Sequence, residues 1–154
     1  MTGGTLILSR AVNLHAYYKD RAKSLGFKDI SITAQEKDSL SFIIRDTKPG
    51  QVIVSASFYK SATPFMMKDL INQFPGIDIS AVALGEYPDD LAMYFILNGV
   101  KSYARFWDGT EEFYRGMSVI RNGRQYVSPN VRERIEMRDQ KPPSAKTLLT
   151  GRTL

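Results

Sequence analysis

The chain has 154 residues, 43% hydrophobic and 24% charged, with a formal net charge of +5. That length supports one domain with short extensions and a real core, in an ordinary globular composition. The absence of cysteine excludes disulfides, thiolate metal sites and a cysteine nucleophile, and the single histidine, His15, excludes any site that needs two. No apolar run reaches the ~20 residues of a membrane span. The start, Met1-Thr-Gly-Gly, lacks the regions of a signal peptide, so a cytoplasmic protein with no membrane partner is expected. Basic residues are spread along the chain, and the densest group, Arg132, Arg134 and Arg138, is interrupted by Glu133, Glu136 and Asp139. Mixed signs of this kind mark a solvated helix face rather than a nucleic-acid surface.

Thr5-Leu-Ile-Leu8 fits a buried strand. Leu14, Tyr18, Ala22 and Leu25 follow at helical spacing, and Gly26 stands where a helix-ending glycine belongs. Ile30-Ser-Ile-Thr33 reads as a second strand. Thr33 and Glu36 have capping-box spacing ahead of a helical stretch through Leu40, Ile43 and Ile44, which Lys48-Pro-Gly50 breaks. Val52-Ile-Val54 is a third strand, apolar throughout as in a sheet covered on both faces. Thr63-Pro64 reads as an N-cap with proline at the first helical position, followed by Met66, Leu70 and Phe74. Ala81-Val-Ala-Leu84 is a fourth strand; Leu91, Phe95 and Asn98 form a helix stripe that Gly99 closes. Ser102-Tyr-Ala-Arg105 is a fifth strand. Asp108 and Glu111 make a second capping box before the stripe Phe113, Met117 and Ile120, which Asn122-Gly123 stops. Such alternation implies βαβ units and a mainly parallel sheet, α/β in class.

Beyond Gly123, Gln125-Tyr-Val-Ser-Pro129 is a short extended piece, and Pro129 opens a helix to about Met137. Asp139 to Ser144, with Pro142-Pro143, reads as a linker. The division expected is 1–128 as a domain and 129–154 as linker helix and tail.

The segment Asn98-Gly-Val-Lys-Ser-Tyr-Ala-Arg-Phe, then Glu111-Glu-Phe, then Ile120-Arg-Asn-Gly-Arg-Gln-Tyr-Val-Ser-Pro129 resembles the last third of a response-regulator receiver domain of the NarL/LuxR type. The resemblance runs from residue 5 to about 137, by pattern alone in its first half. It implies a flavodoxin-like five-stranded parallel sheet of order 2-1-3-4-5. Active members carry an acidic pair after strand 1, a phospho-accepting Asp ending strand 3, a Ser/Thr ending strand 4 and a Lys ending strand 5. Here the acidic pair falls on Ser9 and Arg10. The acceptor falls on Ser55 or Ala56, or on Ser57 with a longer strand. The hydroxyl falls on Gly85 and the lysine on Phe106, with Arg105 as a substitute one residue out of register. The switch aromatic is kept as Tyr103.

The family's chemistry needs carboxylates for Mg²⁺ and for an acyl phosphate. Two unit charges about 4 Å apart interact by ~4 kcal/mol at an effective dielectric of about 20, so Arg10 would repel a divalent cation there. Neither a metal nor another cofactor is expected. A serine hydroxyl is a weak nucleophile without an adjacent base; His15 is the one candidate, with a helix-surface position as the ordinary alternative. Glu86 and Asp108 near strand ends are a remote possibility for a displaced metal site. No glycine-rich loop follows the first strand, so the chain is not read as an enzyme.

The resemblance implies a receiver of a two-component transcriptional regulator working without phosphorylation. It would act through homodimerisation or protein contact to control a C-terminal DNA-binding domain. Candidate switch or interface residues are Tyr94, Tyr103 and Trp107, on the helix 4–strand 5–helix 5 face; the alternative packs Tyr103 on the sheet and lets Trp107 shield the emptied pocket. Leu149-Thr-Gly-Arg152 resembles the opening of a LuxR-type helix-turn-helix. DNA would be met through that domain and not by this segment. The competing function is a module sensing small anions at the strand ends, with Arg10 as the cation, which Phe106 would oppose by filling the space.

Overall fold

The computed structural model describes the backbone of residues 3–35 and 37–150 and the side chains of 3–35 and 39–139. Five parallel strands, β1 (Thr5–Leu8), β2 (Ile30–Thr33), β3 (Gln51–Ser55), β4 (Asp78–Ala83) and β5 (Ser102–Arg105), form one sheet of order 2-1-3-4-5. Leu8 lies level with Thr33 on one side and Val54 on the other, so β1 and β3 end together at the centre.

Helices α1 (His15–Ser24), α2 (Lys37–Thr47), α3 (Thr63–Gln73), α4 (Asp89–Leu97) and α5 (Thr110–Arg121) connect and follow the strands. Strand side chains alternate between faces, which makes two cores. Leu6, Leu8, Val52, Val54, Ile79, Ala81 and Tyr103 face α2, α3 and α4, with Leu40, Met67, Leu70 and Phe95 from the helices. Ile53, Val82 and Ala104 face the other way, toward Ala22 and Phe27 and toward Phe113, Met117 and Ile120 of α5. Two-sided burial is the reason β3 is apolar without a break.

The helix ends depart from the expected caps. Thr63 is the first residue of α3 rather than its N-cap. Its hydroxyl donates to the Lys60 carbonyl at 2.9 Å and accepts from the Tyr59 amide at 2.8 Å, which ties down the preceding 3-10 turn, Lys60–Ala62. Asp108 does not cap α5. It ends a 3-10 turn, Phe106–Asp108, and Gly109 takes the N-cap position at φ +107°, ψ 146°, a backbone region open to glycine alone. The Thr33 hydroxyl accepts from the Gln35 amide at 3.2 Å, as a cap would; its expected partner Glu36 lies outside the described residues. Leu14 belongs to a 3-10 turn, Val12–Leu14, and is exposed, which leaves Ala22 as the one buried side chain of α1.

Past α5 the chain returns to the sheet. The Tyr103 amide donates to the Tyr126 carbonyl, the Ser128 amide donates to the Tyr103 carbonyl, both at 2.9 Å, and Val127 bridges to Tyr103 in parallel. This strip covers the β5 edge that would otherwise expose unpaired backbone groups. The Tyr126 hydroxyl donates to Glu112, and Arg115 lies over its ring at 5.5 Å. Then α6 runs from Pro129–Thr150, longer than the expected helix to Met137, and takes in the stretch Asp139 to Ser144 that reads as a linker. Proline removes one intrahelical donor but fixes φ near a helical value, so Pro142 and Pro143 weaken this path without reversing it. Val131 is fully buried in the α4-side core. The expected helix-turn-helix opening, Leu149 to Arg152, runs past the end of α6, and Gly151 and Arg152 lie outside the described residues.

Candidate functional site

At the carboxyl ends of the strands the chain builds two adjoining constellations, one on each face of the sheet. On the α1–α5 face is a cavity of about 310 Å³. All six residues on which the resemblance places the phosphorylation site, Ser9, Arg10, Ser55, Ala56, Gly85 and Phe106, line it. Topology explains the convergence: β1 and β3 are neighbours in the sheet although not in sequence, and the strand order reverses there.

None of the six carries a carboxylate. Ser9 is buried, and its hydroxyl accepts the Ala11 amide at 3.2 Å. The Arg10 guanidinium lies 5.8 Å from the centre of the Phe58 ring and 5.5 Å from that of Tyr59. The Ser55 hydroxyl is 3.4 Å from that of Ser57. Ala56 is an apolar core residue, and a side chain at Gly85 would meet open space. Among the described residues no three His, Asp or Glu side chains are grouped to hold a metal ion. The donor set therefore does not fit the Mg²⁺ that the receiver pattern implies.

Three further expectations are settled by geometry. Phe106 does not fill the cavity; it is 44% exposed and meets Phe113 edge-on at 5.4 Å, forming part of the wall. Trp107 does not shield it either, but lies over Arg105 at 5.2 Å on the other face. His15 meets no serine hydroxyl among the described residues: its Nε2 donates to the Ser9 carbonyl at 2.7 Å and fastens the start of α1 to the end of β1. Glu86 is exposed in the loop after β4.

The second constellation was not legible beforehand. Arg105 does not substitute for the missing lysine, because its parity in β5 points it away from the cavity. Its Nε donates to Asp108 at 2.6 Å and its Nη1 to Asp89 at 2.5 Å, with only 8% of its side chain exposed. Burial by itself would lower the Arg105 pKa; the bond to Asp108 and the charges of Asp108 and Asp89 outweigh it and leave a firmly held cation. The second oxygen of Asp108 accepts from the Ser128 hydroxyl at 2.7 Å. Arg134 of α6 reaches Asp90 at 2.5 Å and Asp89 at 3.8 Å. One buried guanidinium thus joins the end of β5, the start of α4 and, through Ser128 and Arg134, the start of α6.

Tyr103 sits beneath this cluster, fully buried, in a column with Phe95 and Tyr87 at centroid spacings of 5.6 and 5.5 Å. It therefore cannot be a surface contact residue, in contrast to Tyr94 and Trp107, each 39% exposed. The cause is the 126–128 strip, which seals the edge over Tyr103. Its hydroxyl finds no hydrogen-bond partner among the described residues. A buried, unsatisfied hydroxyl is costly, so Tyr103→Phe is expected to raise stability by about 1 kcal/mol. Urea denaturation checks this; a loss of stability would show that the hydroxyl has a partner the ring alone cannot replace.

No family model matches the chain, and no curated protein matches it. Solved structures do. A LuxR-family two-component response regulator from Aurantimonas sp. SI85-9A1 superposes with a TM-score of 0.72 at 13% identity, over 90% of this chain and 99% of the other. A LuxR-family DNA-binding response regulator from Silicibacter pomeroyi gives 0.59 at 16% identity, over 81% and 95%. The isolated REC domain of RcsB from Salmonella enterica serovar Typhimurium gives 0.63 at 8% identity, over 86% and 98%. Sheet order, helix placement and these superpositions agree: the chain has the fold of a response-regulator receiver domain.

Proposed function

We propose that this chain is the receiver-like module of a LuxR-type transcriptional regulator, that it operates without aspartyl phosphorylation, and that it is not an enzyme. One observation carries the reading: the six strand-end positions come together as they would in an active receiver, yet contribute no carboxylate. Mg²⁺ requires oxygen ligands of that kind, and an acyl phosphate requires a carboxylate to form on.

What replaces the chemistry is contact. α6 is docked on α4 by the buried Val131 and by Arg134 on Asp89 and Asp90, so whatever follows α6 is mechanically tied to the end of the sheet. The DNA-binding partner domain would follow from Leu149 onward, and the module would work as a homodimer. Tyr94, Leu97 and Trp107 are large apolar side chains left partly exposed beside the α6 seat, and aromatic residues favour protein interfaces.

The test is incubation of the chain with Mg²⁺ and acetyl phosphate. Intact mass should show no stable phosphoryl group, and light scattering should give the same dimeric mass before and after treatment. A phosphorylated species, or a dimer that forms only after treatment, would defeat the reading.

A further inference from the structure

The face of the sheet beneath α1 is incompletely covered. β1 is paired on both sides, by β2 and β3, and strands in that position are ordinarily sealed on both faces. Leu6 and Leu8 of β1 are buried, but Ile7, which alternates to the α1 side, is only partly so. Ile7 opens onto the cavity of about 310 Å³. Ile53 of β3 and Val82 of β4 share that face and continue an aliphatic floor. The walls are aromatic, Tyr17 and Tyr18 from α1 and Phe113 and Tyr114 from α5. At the edge, Tyr17, Leu84 and Phe106 leave large apolar side chains exposed.

Size and charge narrow what such a space can take. An apolar cavity of about 150 Å³ admits benzene, so about 310 Å³ has room for two fused rings, at the small end of the range for ligand pockets. Among the described residues no Asp, Glu, His or Lys lines it. Its two guanidinium groups are already engaged. Arg21 donates to the Tyr114 hydroxyl and lies 5.6 Å from that ring; Arg10 lies over Phe58 and Tyr59 and is not free. A charged ligand would therefore find no waiting counter-charge. The cavity also sits at the topological switch point between β1 and β3, where open α/β sheets take their ligands.

We infer that this cavity is a binding site for a neutral, flat aromatic molecule of two fused rings, lying on Ile7, Ile53 and Val82 between α1 and α5. Removal of both the ligand and the uncovered sheet face from water drives the binding, and ring contacts with the tyrosine and phenylalanine walls orient it. The ligand would supply the input that phosphorylation does not give. That role rests on the proposed function, but the binding itself does not.

The test titrates the full chain at neutral pH with 2-naphthol, phenol and 2-naphthalenesulfonate, read by calorimetry and by the methyl signals in NMR spectra. 2-Naphthol should bind saturably at one site, about tenfold more tightly than phenol, which has one ring fewer to bury. 2-Naphthalenesulfonate carries the same rings and a negative charge, and should bind no more tightly than 2-naphthol. Methyl signals of Ile7, Ile53 and Val82 should shift on binding, while those of Leu70, Ile79 and Val131, on the other face of the sheet, stay in place. Ser55→Leu, which fills the cavity from the strand side, should lower the affinity for 2-naphthol about tenfold; Ala22→Leu fills it from the helix side should the first variant fail to fold. No saturable binding, equal affinity for phenol, tighter binding of the sulfonate, shifts on the other face alone, or affinity untouched by filling would each overturn the inference. Failure here leaves the acetyl phosphate result standing, so the two readings fail separately.

Discussion

Replacing Arg105 with alanine is expected to remove about 3 to 5 kcal/mol of stability, the usual cost of leaving buried charges without their partner. The side chains of Arg105, Asp108 and Asp89 are 8%, 9% and 16% exposed, so water cannot take over the missing role. Asp108 would keep its bond from Ser128, and Asp89 would keep only the longer 3.8 Å contact to Arg134. Arg105→Lys should recover little, because the ammonium group has no rigid fork to reach both carboxylates at once. Urea denaturation should show a lower midpoint with an unchanged slope, and Asp89→Asn in the alanine background should restore part of the loss. Hydrogen exchange should locate the damage: amides of residues 132 to 137 in α6 should lose more protection than those of β2, at the far edge of the sheet. A loss below about 1 kcal/mol would mean that desolvation cancels the pairing, and that α6 is held by Val131 and Arg134 without help from Arg105.

The division between what was legible in the sequence and what was not follows from parity and register. The strands could be read because burial on both faces leaves uninterrupted apolar runs such as Val52-Ile-Val54, and the helices because Leu70, Phe95 and Phe113 recur at helical spacing between breakers. Sheet order came with the resemblance, and the structure has it. Each of the six strand-end positions lies at or within two residues of a strand terminus that the pattern locates, and together they line one cavity. What escaped is which face a side chain takes once the strand ends. One residue of register moves Arg105 from the cavity to the opposite side of the sheet, where it meets Asp89 and Asp108. The Asp108–Glu111 spacing suits a capping box, but Gly109 moves the helix start to Thr110 and frees Asp108 for Arg105 and Ser128. The return of 126–128 to β5 is a long-range pairing that leaves no local periodicity. Of the apolar stripe Leu14, Tyr18, Ala22 and Leu25, only Ala22 is buried.

Alkaline pH is expected to unfold the protein, and the column of buried tyrosines sets the sign. Burial pushes the Tyr87 hydroxyl up to about 12 from its ordinary value of 10.0, against the opposing bond with Thr63. Burial likewise raises Tyr103, and burial followed by the bond to Glu112 raises Tyr126. Below pH 10 these hydroxyls are protonated whether the chain is folded or not, and their contribution to stability is fully present. Above that value the unfolded chain releases protons that the folded chain retains, so the unfolded state is favoured as pH rises. Each pH unit is worth about 1.4 kcal/mol per tyrosine, and Tyr87 alone would remove about 2 to 3 kcal/mol by pH 12. Tyr103 and Tyr126 act in the same direction and continue beyond the window that Tyr87 closes. Set against a typical domain stability of about 5 to 15 kcal/mol, three such groups should place the transition between pH 10 and 12. Circular dichroism should then change together with the last part of the tyrosinate absorbance, that of the three buried rings, since these ionise only as the core opens. Tyr87→Phe and Tyr103→Phe should each move the transition upward in pH, and the double substitution further than either. A stability that stays level from pH 10 to 12, or tyrosinate absorbance that rises to completion before the fold is lost, would show that water reaches the column and that the Tyr87–Phe95–Tyr103 stack is not the sealed core on which the α6 seat rests.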